Sequence, residues 1–441
     1  MVGYRRMNQV TIKDIINNDV RDFSIYNCER SIPSGIDGLK TSQRKVIFGM
    51  MKKFPTQEAK VSVVSAGVME ISAYHHGSLD GVIVNMAQNF PGSNNLPYLD
   101  AIGQFGSRIS SDAAASRYIF TKLTKNFRQI FKTDDDDILE YLDDDGQSIE
   151  PRFYLPILPA ILINGAEGMG TGFACSIMSY NPDHLKSYIQ KKLTGKKISG
   201  RLNPWYRGFN GTIERNNDQV ICKGILEVVN STTIKIKELP IGTYTIKYRE
   251  VLNVLEDKNI IKSYIDNSTE ESTEFIVTVP RETTKKSHED LLKTFKLISR
   301  TTENITVWTE KNTIKRFDTV EDLIDWFVQY RLVRYEDRRL NLIKNLETQK
   351  DWYETQMRFI QLYLKRSKVW SGMTDKEVVT ELESAGLNRI DDLLSIRVRK
   401  LTGDAIEDLK KKIDESALEI ARLNSMTATD LYLNDLSQLK L

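Results

Sequence analysis

Residues 36–54, IDGLKTSQRKVIFGMMKKF, decide how the first third of the chain is read. Asp37-Gly38 is a turn signal, and DGLK makes the turn. In the following SQRKVIFGMM, Arg44 and Lys45 stand beside Val46, Ile47, Phe48 and Met50, so a helix here is basic on one side and apolar on the other. The stretch reads as a helix-turn-helix element. Upstream, residues 8–30 mix polar and apolar positions and read as helical. Downstream, short helices and loops carry on to residue 132.

Working outward, the 441 residues suffice for roughly three domains at about 150 residues each. The composition is that of a globular protein, 40% hydrophobic and 28% charged. Cys28, Cys175 and Cys222 are far apart and form no CxxC pair. That spacing argues against a disulfide framework or a zinc site and fits a reducing compartment. No apolar run reaches the roughly 18 residues of a membrane span. The N-terminal MVGYRRMNQV lacks the apolar core of a signal peptide. The expectation is a soluble, cytoplasmic protein with no membrane partner.

The net charge of +2 hides an asymmetry. Residues 1–133 hold 17 Lys and Arg against 10 Asp and Glu, whereas residues 134–150 hold 9 acids and no base. A basic segment followed by an acidic one points to a polyanion-binding module with a solvated acidic loop or hinge behind it. Residues 151–163, PRFYLPILPAILI, carry three prolines and read as an edge strand or extended segment. Residues 205–280 are rich in β-branched strand signals, and ITVWTEKNTIKRF reads as a hairpin. All 11 prolines lie at or before Pro280, and residues 321–370 read as long helices. Ile406, Leu409, Ile413, Ile420 and Leu423 follow three-and-four spacing, interrupted by Ser416. Such a helix can pair in a coiled coil or pack on its own domain core, and periodicity favours neither.

Four groups of residues could carry chemistry. Arg30, Lys40, Arg44 and Lys45 surround the turn. Helix-turn-helix elements put such side chains on nucleic-acid phosphates, although a surface charge run is usually only solvated. His75 and His76 are two of four histidines, adjacent and followed by glycine. A lone histidine is usually structural, but an imidazole titrates near neutral pH and can take a proton from a phenol or bond a phosphate oxygen. In SSDAAASRYIF, residues 110–120, a run of small residues ends at Arg117-Tyr118. Most of the 18 tyrosines are expected to be packing residues. As a nucleophile toward phosphorus, a phenol needs a base for its proton and cations for the charge that develops. Arg117 is adjacent, and His76 and Arg30 are candidates to converge. Finally, NGAEGMGTG, residues 164–172, has a backbone able to lie close to another chain. It lacks the Lys-Ser/Thr ending of a P-loop. The DDDD run lacks the glycine and glutamate of an EF-hand loop, so no metal site is expected on this chain.

With these residues in view, the chain resembles a known family. YHHG, MAQNFPGSNN, GQFGSR, DAAASRYIF, LPILPAILINGAEGMGTG, ELPIGTYT and YRLVRYEDRR occur in the order found in the breakage-reunion (gyrase A-like) subunit of type IIA DNA topoisomerases. LLSIRVRKLTGDAIEDLKKKIDE and TATDLYLNDLSQL fit as well. The resemblance runs from about residue 20 to the C-terminus, and its length looks like that of the T-even-type bacteriophage branch. It implies a mixed α/β multidomain fold. Residues 1–27 would be an N-terminal arm, 28–150 a winged-helix DNA-cleavage domain, 151–325 an α/β tower, and 326–441 coiled-coil helices forming a dimer gate. It implies that Tyr118 attacks DNA phosphorus, that Arg117, Arg30 and His76 assist, and that Lys40, Arg44, Lys45 and His75 contact DNA. Met169, where the family usually has Ile, would wedge between base steps. Mg2+ and ATP would both be bound by a partner subunit carrying TOPRIM and ATPase domains. The other expected partners are double-stranded DNA and a second copy of the chain. No DNA-wrapping domain is recognised, so relaxation and decatenation are expected, in the host cytoplasm if the chain is phage-encoded. A non-catalytic architectural DNA-binding protein on the same scaffold is the rival reading.

Overall fold

In the computed structural model, which describes residues 11–216 and 219–440, the helix read from residues 36–54 spans Thr41–Lys53 (α2). It follows a helix over Arg21–Ser31 (α1), and residues 32–40 join the two in a longer connection than the DGLK turn. Asp37 sits fully buried at the centre of that connection. Its carboxylate accepts Arg44 Nε at 2.7 Å and Nη2 at 3.1 Å, and the backbone N–H groups of Leu39 and Tyr154 at 3.0 Å each. Gly38 turns the chain at φ +70°, where a Cβ would stand 2.5 Å from the Ile161 nitrogen. Only glycine meets both demands.

This knot corrects the reading of α2. The helix was expected to show solvent a basic side with Arg44 and Lys45, yet both are buried. Lys45 Nζ bonds Glu150 at 2.9 Å and the Ser72 carbonyl. Helical periodicity registers the cations but not their carboxylates, since Asp37 lies in the connection before the helix and Glu150 comes from 105 residues away. Buried charges persist only when so paired. The apolar side behaves as expected. Val46, Ile47, Phe48 and Met50 pack on helices Val61–Ile71 (α3) and Asp80–Ala87 (α4), each side chain contributing about 2 kcal/mol of burial. Gly49 lets α2 and α3 close up, since a Cβ there would lie 2.5 Å from Val68 Cγ2. Strand Ala59–Lys60 (β1) leads into α3 and pairs antiparallel with Phe120–Thr121 (β2).

The acidic stretch is also not a solvated loop. Thr133–Ile138 forms a 3-10 helix, and Tyr141–Asp144 (β3) pairs with Gln147–Pro151 (β4) as a hairpin. Asp135 is buried, 2.6 Å from the fully buried Arg331 guanidinium. A counter-charge 196 residues away is invisible to local reading. The proline-rich stretch is irregular only to Pro159, after which Ala160–Asn164 is helical. Pro159 stands just before this helix, where a missing N–H costs nothing. The boundaries read at 27/28, 150/151 and 325/326 fall inside α1, β4 and a helix described below.

Ala166–Gly170 (β5) and Phe173–Ile177 (β6) make a hairpin of the glycine-rich stretch. The strand signals of residues 205–280 are realised in two antiparallel sheets. Thr212–Asn216 (β7), Gln219–Lys223 (β8), Ile225–Asn230 (β9), Thr233–Glu238 (β10), Ser263–Asp266 (β11) and Phe275–Thr278 (β12) are joined by Ile298–Thr302 (β13). The strand orders are β11-β12-β10-β9 and β13-β8-β7. Helix Thr245–Asp257 (α5) covers the larger sheet through Tyr248, Leu252 and Leu255, packed on Ile234, Ile236, Phe275 and Val277. Ile305–Trp308 (β14) and Ile314–Phe317 (β15) form the expected hairpin.

The chain divides into two compact units, one running to Arg331 and resuming at Leu436, the other Leu332–Asp435. A single helix, Val320–Trp370 (α6), replaces the several read over 321–370. In the second unit, Gly403–Ser425 (α7) lays its stripe against the chain's own α6. Leu409 joins a core with Phe359, Ile360 and Trp370, Ser416 is buried, and the Leu423 carbonyl accepts Arg339 Nη1 at 3.2 Å. Among the described residues, no helix is long and apolar enough to cross a membrane.

Candidate active site

The segment around Tyr118 is held from several sides. Gln88 Nε2 donates to the carbonyls of Phe105 and Ser111, both at 2.9 Å. Ala114 N–H donates to Gln104 O at 3.0 Å, and Ser62 and Val61, at the start of α3, donate to Ser116 O and Ile119 O. Ile119 is buried beneath. Arg117 and Tyr118 are what remains outside. Tyr118 is 66% exposed, and Arg117 places its guanidinium carbon 4.7 Å from the phenol ring centroid. Among the described residues, the Tyr118 hydroxyl has no hydrogen-bond partner within the chain. Asp80, at the start of α4, anchors the same segment. Burial pushes its carboxyl up, but hydroxyls of Ser116, Ser78 and Ser65 outweigh that and hold it below the ordinary carboxylate value.

A second group forms on α1 and the turn after α3. Arg30 lies over the Tyr26 ring at 5.6 Å, and the Tyr26 hydroxyl hydrogen-bonds His76 Nε2. Tyr74 meets His76 edge-on at 5.6 Å. Arg30, His75 and His76 are exposed. The structure therefore brings Arg30 and His76 together, and it leaves Tyr118 with Arg117 in a group of its own. Sequence reasoning missed Tyr26. Its spacing four residues before Arg30 on a helix was the signal that could have found it.

Met169 lies in β5 and is 83% exposed. Its hairpin rests on α1 at glycine-only distances, for a Cβ on Gly168 would fall 2.0 Å from Ser31 O. Asn27 Oδ1 accepts Thr171 N–H at 2.9 Å, and Lys40 Nζ donates to Glu167 O at 2.7 Å. Lys40 is half-buried and braces the hairpin. Met169 and Arg30 thus share one mount. Arg44 and Lys45, spent on Asp37 and Glu150, are not free to bind a phosphate.

Rival nucleophiles are few. Burial pushes the Cys175 thiol up to about 11, and the Cys222 thiol is raised for the same reason, so neither is a thiolate near neutral pH. Among the described residues, no three His, Cys, Asp or Glu side chains converge as metal ligands. The acidic stretch does not supply them, since Asp135 is bound to Arg331 and Asp136 to Arg128 at 3.0 Å.

Comparison with known proteins gives the family. Residues 30–441 match the family model for the DNA gyrase/topoisomerase IV A-subunit. The mitochondrial DNA topoisomerase 2 of Dictyostelium discoideum is 36% identical across 98% of this chain and 35% of its own length. DNA topoisomerase 2 of Drosophila melanogaster is 38% identical across 86% of this chain and 27% of its own. The chain spans about a third of the length of the curated relatives it matches. Among solved structures, the DNA-binding, cleavage and re-ligation domain of Plasmodium falciparum topoisomerase II superposes with a TM-score of 0.91 at 35% identity. It covers 97% of this chain and 63% of that one.

Proposed function

The chain belongs to the DNA gyrase/topoisomerase IV A-subunit family, and from that premise we propose that it is the cleavage–religation part of an ATP-dependent type II DNA topoisomerase. The observation that carries this reading is Tyr118, exposed and unpartnered on a tethered segment with a guanidinium on its ring. A packing tyrosine buries its ring and satisfies its hydroxyl. This one does neither.

The chemistry is a transesterification. The Tyr118 oxygen attacks a DNA phosphorus and loses its proton. A 5′-phosphotyrosyl ester forms, the P–O bond to the neighbouring sugar breaks, and the departing 3′-oxygen gains a proton. One phosphodiester replaces another, so resealing is the same step reversed and needs no energy input. Arg117 stabilises the charge on phosphorus. Arg30 and His76 stand in their own group and meet the same phosphodiester once a duplex spans both groups. Met169 enters the base stack from its braced hairpin and bends the duplex. His75 and Lys40 contact the backbone.

Each strand of the duplex needs one tyrosine, so two copies of the chain act together, joined through the helices of the second unit. Residues 28–150 serve as the winged-helix cleavage module, residues 151–325 as the tower, and the helices beyond as the gate. A passing duplex crosses the break, giving relaxation and decatenation. Mg2+ and ATP are bound outside this chain's described residues, by a partner with TOPRIM and ATPase domains. Bound there, Mg2+ supplies charge to the phosphate; the chain itself orients the nucleophile. The setting is the cytoplasm.

The test mixes the chain with its partner subunit, Mg2+ and plasmid, and then denatures. Protein joined to DNA 5′ ends is expected, with none from Tyr118→Phe. If the phenylalanine variant still traps DNA, another residue is the nucleophile. If neither traps DNA while both bind it, the chain is an architectural protein.

A further inference from the structure

A cavity of about 790 Å³ lies away from the residues just assigned. None of Arg30, Lys40, His75, His76, Arg117, Tyr118 or Met169 lines it. Its wall nevertheless continues from β2, the strand two residues beyond Tyr118. Beyond β2 the chain runs through Lys122 into the short helix Lys125–Ile130, and Lys122 and Lys125 both line the cavity. Asp100 lines it too, with its N–H bonded to the Lys122 carbonyl at 2.9 Å. Arg207 closes another side, held by its N–H on Asn95 Oδ1 at 2.8 Å.

The charges here are unbalanced. Arg128 also lines the space, but Asp136 neutralises it at 3.0 Å. Among the described residues, Lys122, Lys125 and Arg207 form no ion pair, and Asp100 is the one acid on the wall. This contrasts with Arg44, Lys45, Arg108 and Arg331, each of which the fold supplies with a carboxylate. Lys122 is half-buried, so part of its hydration is already lost. Cations that outnumber the acids of a concavity attract an anion. Among the described residues, no Phe, Tyr, Trp or His lines the space, so none of them stacks on a base there. Recognition stops at phosphate.

We propose that this cavity is a second phosphate-binding site, which takes the phosphodiester backbone of duplex DNA at a place separate from the Tyr118 site. DNA as the ligand rests on the function proposed above. Two sources present the same chemistry: a flank of the duplex held at Tyr118, or a second duplex.

The test compares the full chain, assembled with its partner subunit, with the variant Lys122→Gln/Lys125→Gln/Arg207→Gln in the same assembly. In one arm a labelled duplex is titrated onto free enzyme. In the other, a labelled duplex is titrated onto enzyme that already holds an unlabelled duplex trapped on Tyr118. Each neutralised phosphate contributes about 0.9 to the slope of log affinity against log salt, so the variant should lower that slope by about 2–3 in one arm. A loss in the first arm assigns the cavity to the flank, and a loss in the second assigns it to another duplex; either supports the site. Equal slopes for variant and parent in both arms overturn it. The charge-keeping variant Lys122→Arg/Lys125→Arg/Arg207→Lys should restore the slope. If it folds with an unchanged unfolding midpoint and does not restore it, charge is not the cause and the proposal falls. Trapping through Tyr118 is read in the same preparations, so failure of the nucleophile and failure of this site are told apart.

Discussion

Arg44 and Arg117 carry the same guanidinium, and the fold gives them opposite fates. Arg44 is buried with Asp37, which takes two of its N–H groups and two backbone N–H groups besides. Arg117 is exposed, and among the described residues it forms no ion pair and lies over the neighbouring phenol ring. A cation that meets a carboxylate on folding becomes part of the core. A cation that meets none is left for an external anion. The distinction between structural and functional charge in this chain is a question of where the carboxylates go.

The largest expected effect breaks the buried side of that comparison. Arg44→Ala leaves the Asp37 carboxylate buried without its partner, and it should cost about 3–5 kcal/mol in urea unfolding. Tyr118→Phe, on the exposed side, should stay within about 0.5 kcal/mol of the parent while losing covalent trapping. If Arg44→Ala unfolds like the parent and instead weakens DNA binding, the two arginines do not differ as described.

Asp80→Asn sharpens the boundary between the two regions, because Asp80 anchors the exposed segment through Ser116. Its folded value lies below the unfolded one, so the stabilisation it gives is fully present above the ordinary carboxylate range near 4 and is lost as pH falls through the folded value. The parent should exceed Asp80→Asn by about 1 kcal/mol at neutral pH, a hydrogen bond to a charged group reduced by solvent screening at this partly exposed carboxylate. The two unfolding curves should converge on acidification below about pH 4. A gap that is constant with pH would mean that the carboxylate charge is not what anchors Ser116.

How much of this could be read from sequence follows the same rule. The helix α2, the β14–β15 hairpin and the stripe of α7 rest on local pattern, and local pattern is written in the chain. Tyr118 and Met169 were singled out by the family's motifs in order, and both side chains are exposed. The burial of Lys45 and Asp135 was not, because Glu150 and Arg331 come from 105 and 196 residues away, and that of Arg44 was not, because Asp37, though only seven residues off, lies in the connection before the helix and outside its periodicity. The reading of Arg44 and Lys45 as DNA contacts failed for that reason. Arg30 and His76 were expected to converge on Tyr118; they meet each other through Tyr26 instead, whose one mark in the sequence is its spacing four residues before Arg30.

Tyr26→Phe is the smallest perturbation and asks the most specific question. The substitution keeps the ring under Arg30 and removes only the hydroxyl that bonds His76. The site is exposed, so stability should change by less than about 0.5 kcal/mol. The imidazole, however, loses the partner that fixes its orientation and one of its two nitrogens. If His76 acts on the scissile phosphate or on a proton in transit, the cleavage rate should fall severalfold and its pH dependence should shift while DNA affinity holds. If rate and profile are both unchanged, the Tyr26–His76 contact is packing at the end of α1. The assignment of the reactive centre then contracts to Arg117, Tyr118 and whatever the partner subunit brings.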